Sequence, residues 1–133
     1  MKKFDSYDGG PLIEMQSNGN VKQLDLTLPH YHLPIYDWVI CLEVIEHIPE
    51  QYEDIVVDNL IRHASRGIIM SWANEGQLGY FHVNGRKPAY VDEKMRSRCF
   101  LKNDTQSQIL KRAATLWWLQ NNTNVYYRAE TCP

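Results

Sequence analysis

Tyr36-Asp37-Trp38-Val39-Ile40-Cys41-Leu42-Glu43-Val44-Ile45-Glu46-His47-Ile48-Pro49 is the stretch that decides the fold of this 133-residue chain. Its apolar run, residues 39–42, reads as a strand. That strand hands two carboxylates and an imidazole (Glu43, Glu46 and His47) to the short turn beyond its carboxyl end. In open α/β sheets, ligands bind in the crevice outside the carboxyl ends of the strands. The turn is therefore where candidate chemistry is expected.

Working outward, residues 67–72 form a second apolar run behind a glycine. Between the two, residues 50–63 have the period of an amphipathic helix. Tyr52, Ile55, Val56, Leu60 and the stem of His63 fall near one face, with Glu53, Asp54 and Asp58 largely outside. Strand, helix and strand in this order predict a parallel crossover. Upstream, a short strand over 4–7 is closed by Asp8-Gly9-Gly10-Pro11, and a brief helix over 12–16 is broken by Asn18-Gly19-Asn20. Residues 21–26 alternate Val, Leu and Leu against Lys, Gln and Asp, the period of a half-buried strand. Downstream come a glycine-punctuated loop over 74–88, a helix over 90–99 and an edge strand over 100–102. A helix over 105–118 follows, with Thr105 and Gln108 as its capping box, and an edge strand over 124–128 closes the chain. The Trp117-Trp118 pair reads as packing rather than as a ligand platform. The alternation predicts one α/β domain over 1–133 built on an open sheet.

Composition narrows the function. Hydrophobic residues make up 44% of the chain, enough for a core, and the formal net charge is -2. Lys and Arg are scattered, so no basic field attracts nucleic acid or an anionic membrane. With no long apolar run and no apolar leader core after Met1, a cytoplasmic protein is expected. Cys41, Cys99 and Cys132 form neither a zinc spacing nor a dense disulfide framework, and Cys41 reads as a buried thiol. Asn103-Asp104-Thr105 and Asn121-Asn122-Thr123 match a glycosylation sequon that matters only in a secreted protein. His30 and His32, even with His47, lack a carboxylate or Cys at ligand spacing, so no metal site is expected.

Three carboxylates follow three successive strands: Asp8, Asp25 and Glu43. In one sheet they would line one crevice. A strand-end carboxylate can accept both hydroxyls of a ribose. A short acidic side chain beside an exposed backbone N–H can read an adenine edge. Singly, Asp8 and Asp25 would pass for turn residues; together the three favour a nucleoside site.

The segment YDWVICLEVIEHIP resembles the fourth strand and following turn of class I S-adenosylmethionine-dependent methyltransferases. FDSYDGG resembles the end of that family's second strand, which implies a ribose contact for Asp8 with Gly9. VKQLDLTLP resembles the third, which implies adenine contacts for Asp25 and Leu26. LEVIEHIP matches the segment flanking the methionine end of the cofactor and implicates Glu43. GIIMSW resembles the fifth strand and NVYYR the last. The resemblance implies a Rossmann-like, mostly parallel sheet with flanking helices, S-adenosylmethionine as cofactor, and direct displacement of its methyl group by an acceptor that the sequence does not name. Glu46 and His47 take the catalytic positions on the acceptor side, with His47 as candidate base, and His82 and Asn84 in GYFHVNGR are further acceptor-side candidates.

One part of the family pattern is missing. No first strand with a Gly-x-Gly-x-Gly loop is present, and Gly9-Gly10 fall at the second-strand position. The domain is thus amino-terminally truncated relative to the family. The absent strand would be central, between those ending near Tyr7 and Leu42, so two unpaired edges should face a gap and favour self-association. The alternative to an enzyme is a non-catalytic remnant serving as a binding or oligomerisation module.

Overall fold

Helix α2 (Glu53–His63) links two parallel strands, β3 (Tyr36–Cys41) and β4 (Ala64–Ser71), in the computed structural model, which describes residues 3–132. Val56, Val57 and Leu60 bury its inner face against Ile68 and Met70 of β4. The predicted crossover is thereby present. Trp38 pairs opposite Gly67, and a Cβ at that glycine would lie 2.3 Å from the Trp38 ring and 2.8 Å from the Tyr126 carbonyl. Only a glycine allows β4 to be flanked that closely on both sides.

Beyond β4 lie α3 (Pro88–Arg96), β5 (Phe100–Lys102), α4 (Asp104–Ala113), α5 (Trp117–Asn122) and β6 (Thr123–Arg128). Strand β6 inserts antiparallel between β4 and β5, giving the order β3-β4-β6-β5. Three of these four strands point the same way, so the sheet is mostly parallel as expected. Residues 124–128 are not an edge strand, however. Tyr126 is fully buried, because the strand is covered by neighbours on both sides.

The remaining elements are β1 (Tyr7–Asp8), α1 (Ile13–Gln16) and β2 (Lys22–Gln23). Strands β1 and β2 pair in parallel as a separate two-stranded sheet. The sheet therefore breaks where the resemblance leaves out a strand, between β1 and β3. Side chains bridge the break: the Tyr7 and Tyr36 hydroxyls lie 2.8 Å apart, and Tyr36 donates to Asp5 at 2.7 Å. Behind it, the Asn59 amide of α2 donates to the carbonyls of Leu26 and Leu28 and accepts from the His30 N–H. On β3, Ile40 is 66% exposed, an apolar side chain on a sheet face left uncovered.

Several local expectations are corrected. The 50–63 helix begins as a 3₁₀ turn over Glu50–Tyr52, and the 105–118 helix breaks after Ala113 before α5 starts. The cap of α4 is Asn103, whose side chain accepts from Gln106 N–H, rather than Thr105 with Gln108. Trp117 and Trp118 pack edge-to-face with ring centroids 5.7 Å apart. Cys41 is buried and free, but Cys99 and Cys132 form a disulfide that ties the carboxyl tail to the residues after α3. Their separation of 33 residues gave no motif to read.

Glu53 is the largest correction, being 4% exposed rather than solvent-facing. Arg86 (3.0 Å), Lys94 (2.9 Å) and Asn84 (2.9 Å) converge on its carboxylate, and Tyr90 donates to it as well. Burial opposes its ionisation, but the hydrogen bonds from Tyr90, Lys94, Asn84 and Arg86 outweigh it and hold the carboxyl at about 2 against an ordinary 4.5. A folded pKa below the unfolded one stabilises above pH ~4.5, and that stability is lost as the pH falls toward 2. Denaturant titrations across this window should show a loss of about 3 kcal/mol from this group, and Glu53→Gln should flatten that part of the acid limb. Gly67→Ala should cost about 1–3 kcal/mol in the same assay at neutral pH, by forcing apart Trp38 and Tyr126.

Candidate functional site

The parallel register of β3 and β4 sets their carboxyl ends side by side, and the site grows from there. Ser71, the last residue of β4, accepts the Glu43 backbone N–H at 2.8 Å and donates its hydroxyl to Glu43 Oε1 at 3.3 Å. This clamp holds Glu43 at φ 57°, a left-handed conformation uncommon for a residue with a Cβ. The chain then turns through one 3₁₀ turn, Ile45–His47. Ile45 plugs the core and draws Glu46 in beside it.

Glu46 is 0% exposed. Neither carboxyl oxygen has a hydrogen-bond partner among the described residues. Burial, and then the nearby Glu43 carboxyl, push its pKa up to about 8. Its backbone carbonyl accepts from Val83 N–H at 2.9 Å and Asn84 N–H at 3.0 Å, which fastens the loop after β4 to the turn after β3. His47 is exposed, with Nδ1 3.1 Å from the Phe81 carbonyl. The His82 ring lies edge-on to it at 4.9 Å, with its own Nδ1 3.2 Å from the Gln77 carbonyl. A carbonyl only accepts, so Nδ1 carries the proton in both rings and each Nε2 presents a lone pair. The structure thus joins Glu46 and His47 to His82, and places Asn84 behind them as a buried support of Glu53. The resemblance puts His82 on the acceptor side with Glu46 and His47, but spacing alone could not show them meeting, because His82 arrives from a loop beyond the next strand.

The other carboxylates sit at the small sheet. Asp8 Oδ1 accepts Gly10 N–H at 2.7 Å, and Asp25 Oδ1 accepts the Thr27 N–H at 2.9 Å and hydroxyl at 2.6 Å. The Thr27 hydroxyl, then its backbone N–H, holds the Asp25 carboxyl below its ordinary range. Each aspartate therefore serves a turn with one oxygen, and among the described residues Oδ2 has no protein partner. A Cβ on Gly9 would meet only the Leu24 carbonyl, at 3.5 Å. Leu26 packs half-buried against the core. Asp8 and Asp25 lie together at one end of β1 and β2, while Glu43, Glu46, His47 and His82 gather at the larger sheet. The expected single crevice edge is divided by the break. His30 is engaged with the Asp25 carbonyl at 2.6 Å, away from His47. Two cavities lie apart from the aspartates: about 230 Å³ lined by Gln77, Gly79 and His82 among others, and about 60 Å³ beside Trp72, Val91 and Tyr126.

Solved structures share the fold. Magnesium protoporphyrin IX methyltransferase (ChlM) from Synechocystis PCC 6803, with bound SAH, matches at TM-score 0.55 and 20% identity over 87% of this chain and 55% of that one. LepI in complex with SAM matches at TM-score 0.56 and 7% identity, over 95% of this chain and 36% of that one. The fold is that of the S-adenosylmethionine-dependent methyltransferases. The pyocyanin biosynthetic protein PhzM matches it too, at TM-score 0.53 and 12% identity over 89% of this chain and 38% of that one. The chain spans about half the length of ChlM and less of the other two. No protein-family model matches the sequence, and comparison with curated proteins gives no match. Ser71→Ala should release the Glu43 clamp and lower stability by about 1–3 kcal/mol, read by thermal or denaturant unfolding.

Proposed function

We propose that this chain binds S-adenosylmethionine and forms the greater part of a methyltransferase domain. The observation that carries the proposal is the strand arrangement, β2-β1, a break bridged by Tyr7 and Tyr36, then β3-β4-β6-β5, with an acidic residue ending β1 and others just beyond β2 and β3. In this reading Asp8, with Gly9, accepts the ribose hydroxyls and Asp25, with Leu26, holds the adenine. Glu43 takes the amino-acid end of the cofactor. The uncommitted Oδ2 atoms of Asp8 and Asp25 fit that acidic half. No glycine loop among the described residues fits the cradle of the other half, which a strand entering beside β3 would supply.

When bound, the cofactor offers an electrophilic methyl group on a sulfonium. The chain's own residues position and deprotonate. Glu46 and His47 face the acceptor, and the Phe81 carbonyl fixes the His47 tautomer so that Nε2 can take the acceptor's proton. Positioning accounts for much of such catalysis. The acceptor class stays open in this proposal. The unpaired edge of β3 and the bare Ile40 face support self-association there. Among the described residues no helix is long and apolar enough to cross a membrane. The reading keeps the protein cytoplasmic, a setting in which the Cys99–Cys132 disulfide would be an exception.

A remnant that only assembles is the second reading, and the missing cradle favours it. Calorimetric titration of S-adenosylhomocysteine into the size-defined full chain separates the two. Saturable binding, weakened at least tenfold by Asp8→Ala and by Asp25→Ala, is the expected result, equal to about 1.4 kcal/mol or more. A flat titration of folded protein whose assembly is untouched by both substitutions would leave the remnant.

A further inference from the structure

We propose that Glu46, His47 and His82 form a binding site for a divalent transition-metal ion. One ligand atom from each side chain lies within 4.8 Å of the other two. Bonds of ~2.0–2.2 Å to nitrogen and oxygen place tetrahedral ligands roughly 3.3 Å apart, so side-chain rotations of about an ångström or two close the set.

Three features mark the cluster as a site rather than a chance meeting. First, both imidazoles are oriented from behind. The Phe81 and Gln77 carbonyls take the Nδ1 protons of His47 and His82, so both rings present Nε2, the arrangement metal-ligating histidines use. Second, Glu46 is fully buried and neither oxygen makes a hydrogen bond of good geometry, although the Glu43 carboxyl, the Ala73 backbone N–H and both rings lie near it. The other fully enclosed acid, Glu53, has four cationic or hydrogen-bonding partners. An isolated buried carboxylate is costly, and a cation satisfies it. Third, the backbone is built to bring the two segments together. The Glu46 carbonyl holds Val83 and Asn84, and the His82 ring rests on Gly79, where a Cβ would meet it at 2.2 Å.

Two imidazoles with one carboxylate suit zinc and its first-row neighbours, while magnesium and calcium prefer all-oxygen shells. Three protein ligands leave a coordination position open, as catalytic sites do, and the exposure of His47 opens it to solvent and to an acceptor. With an ion bound, the His47 lone pair is committed to it. The ion rather than the imidazole then holds and acidifies an oxygen or sulfur atom of the acceptor. The ligand set stands on these three side chains alone, so its failure would leave the cofactor reading where it is.

The test uses the full chain, stripped by a chelator. Zn²⁺ is titrated by calorimetry, and Co²⁺ is followed by its visible ligand-field absorption. One equivalent should bind with tetrahedral-type cobalt bands displaced by zinc. His82→Ala and Glu46→Gln should each weaken binding at least tenfold, while His32→Ala, at an exposed loop histidine, leaves it unchanged. His82 stands on a loop, so His82→Ala carries the test if Glu46→Gln misfolds. No saturable binding to folded protein would overturn the proposal. So would binding indifferent to His82→Ala, or binding lost in His32→Ala.

Discussion

The parallel pairing of β3 with β4 is the constraint from which the rest follows. It needs a residue without a side chain at Gly67, because Trp38 and the backbone of Tyr126 close in from either side. Once the two strands lie in that register, Ser71 falls beside Glu43 and bends the chain out of β3. The bend sends Ile45 into the core, Ile45 takes Glu46 with it, and the Glu46 carbonyl captures the loop that carries His82. Each step is a local hydrogen bond or a buried side chain. Together they assemble a polar cluster from residues 36 positions apart.

Two buried carboxyls show how differently one fold can treat the same group. Glu53 is surrounded by Arg86, Lys94, Asn84 and Tyr90, which join α3 and its leading loop to α2. It is ionised and structural. Glu46 is equally enclosed but has no cation beside it, and burial together with the Glu43 carboxyl drives it toward the neutral form. A protein interior tolerates the first arrangement for stability. The second is tolerated only where something else completes it.

Much of the fold was legible in the chain because its strands and α2 carry strong periodic signals. The strand in the 36–49 stretch and the 100–102 strand form where they were read, and the 67–72 run lies within a strand that begins earlier, at Ala64. What failed had non-local causes. Glu53 looks like a solvent residue from the helix period, and only the approach of α3 buries it. The 124–128 strand looks like an edge because its pairing on both sides depends on segments well removed in sequence. Asn103 rather than Thr105 caps α4 because the residue with a β-region backbone is decided by how β5 ends. At the site, the carboxylates at the strand ends and the acceptor-side place of His82 could be read, but not the Ser71 clamp, the burial of Glu46 or the packing of His82 on His47.

The small sheet and the loop after it touch the rest through side chains: Tyr36 with Tyr7 and Asp5, Asn59 with Leu26, Leu28 and His30, Arg62 with His30, and the half-buried Leu26. No ladder of backbone hydrogen bonds joins β1 to β3, and both residues of β2 are exposed. Cooperativity in a sheet is carried by such ladders together with buried apolar area. The molecule is therefore two units of unequal resistance to opening. Residues up to about 30 can detach while β3, β4, β6 and β5 keep their core, so amide protons there would exchange through a sub-global event well below the cost of complete unfolding. Whatever occupies the space beside β3 would bind to the seam between those units and convert them into one.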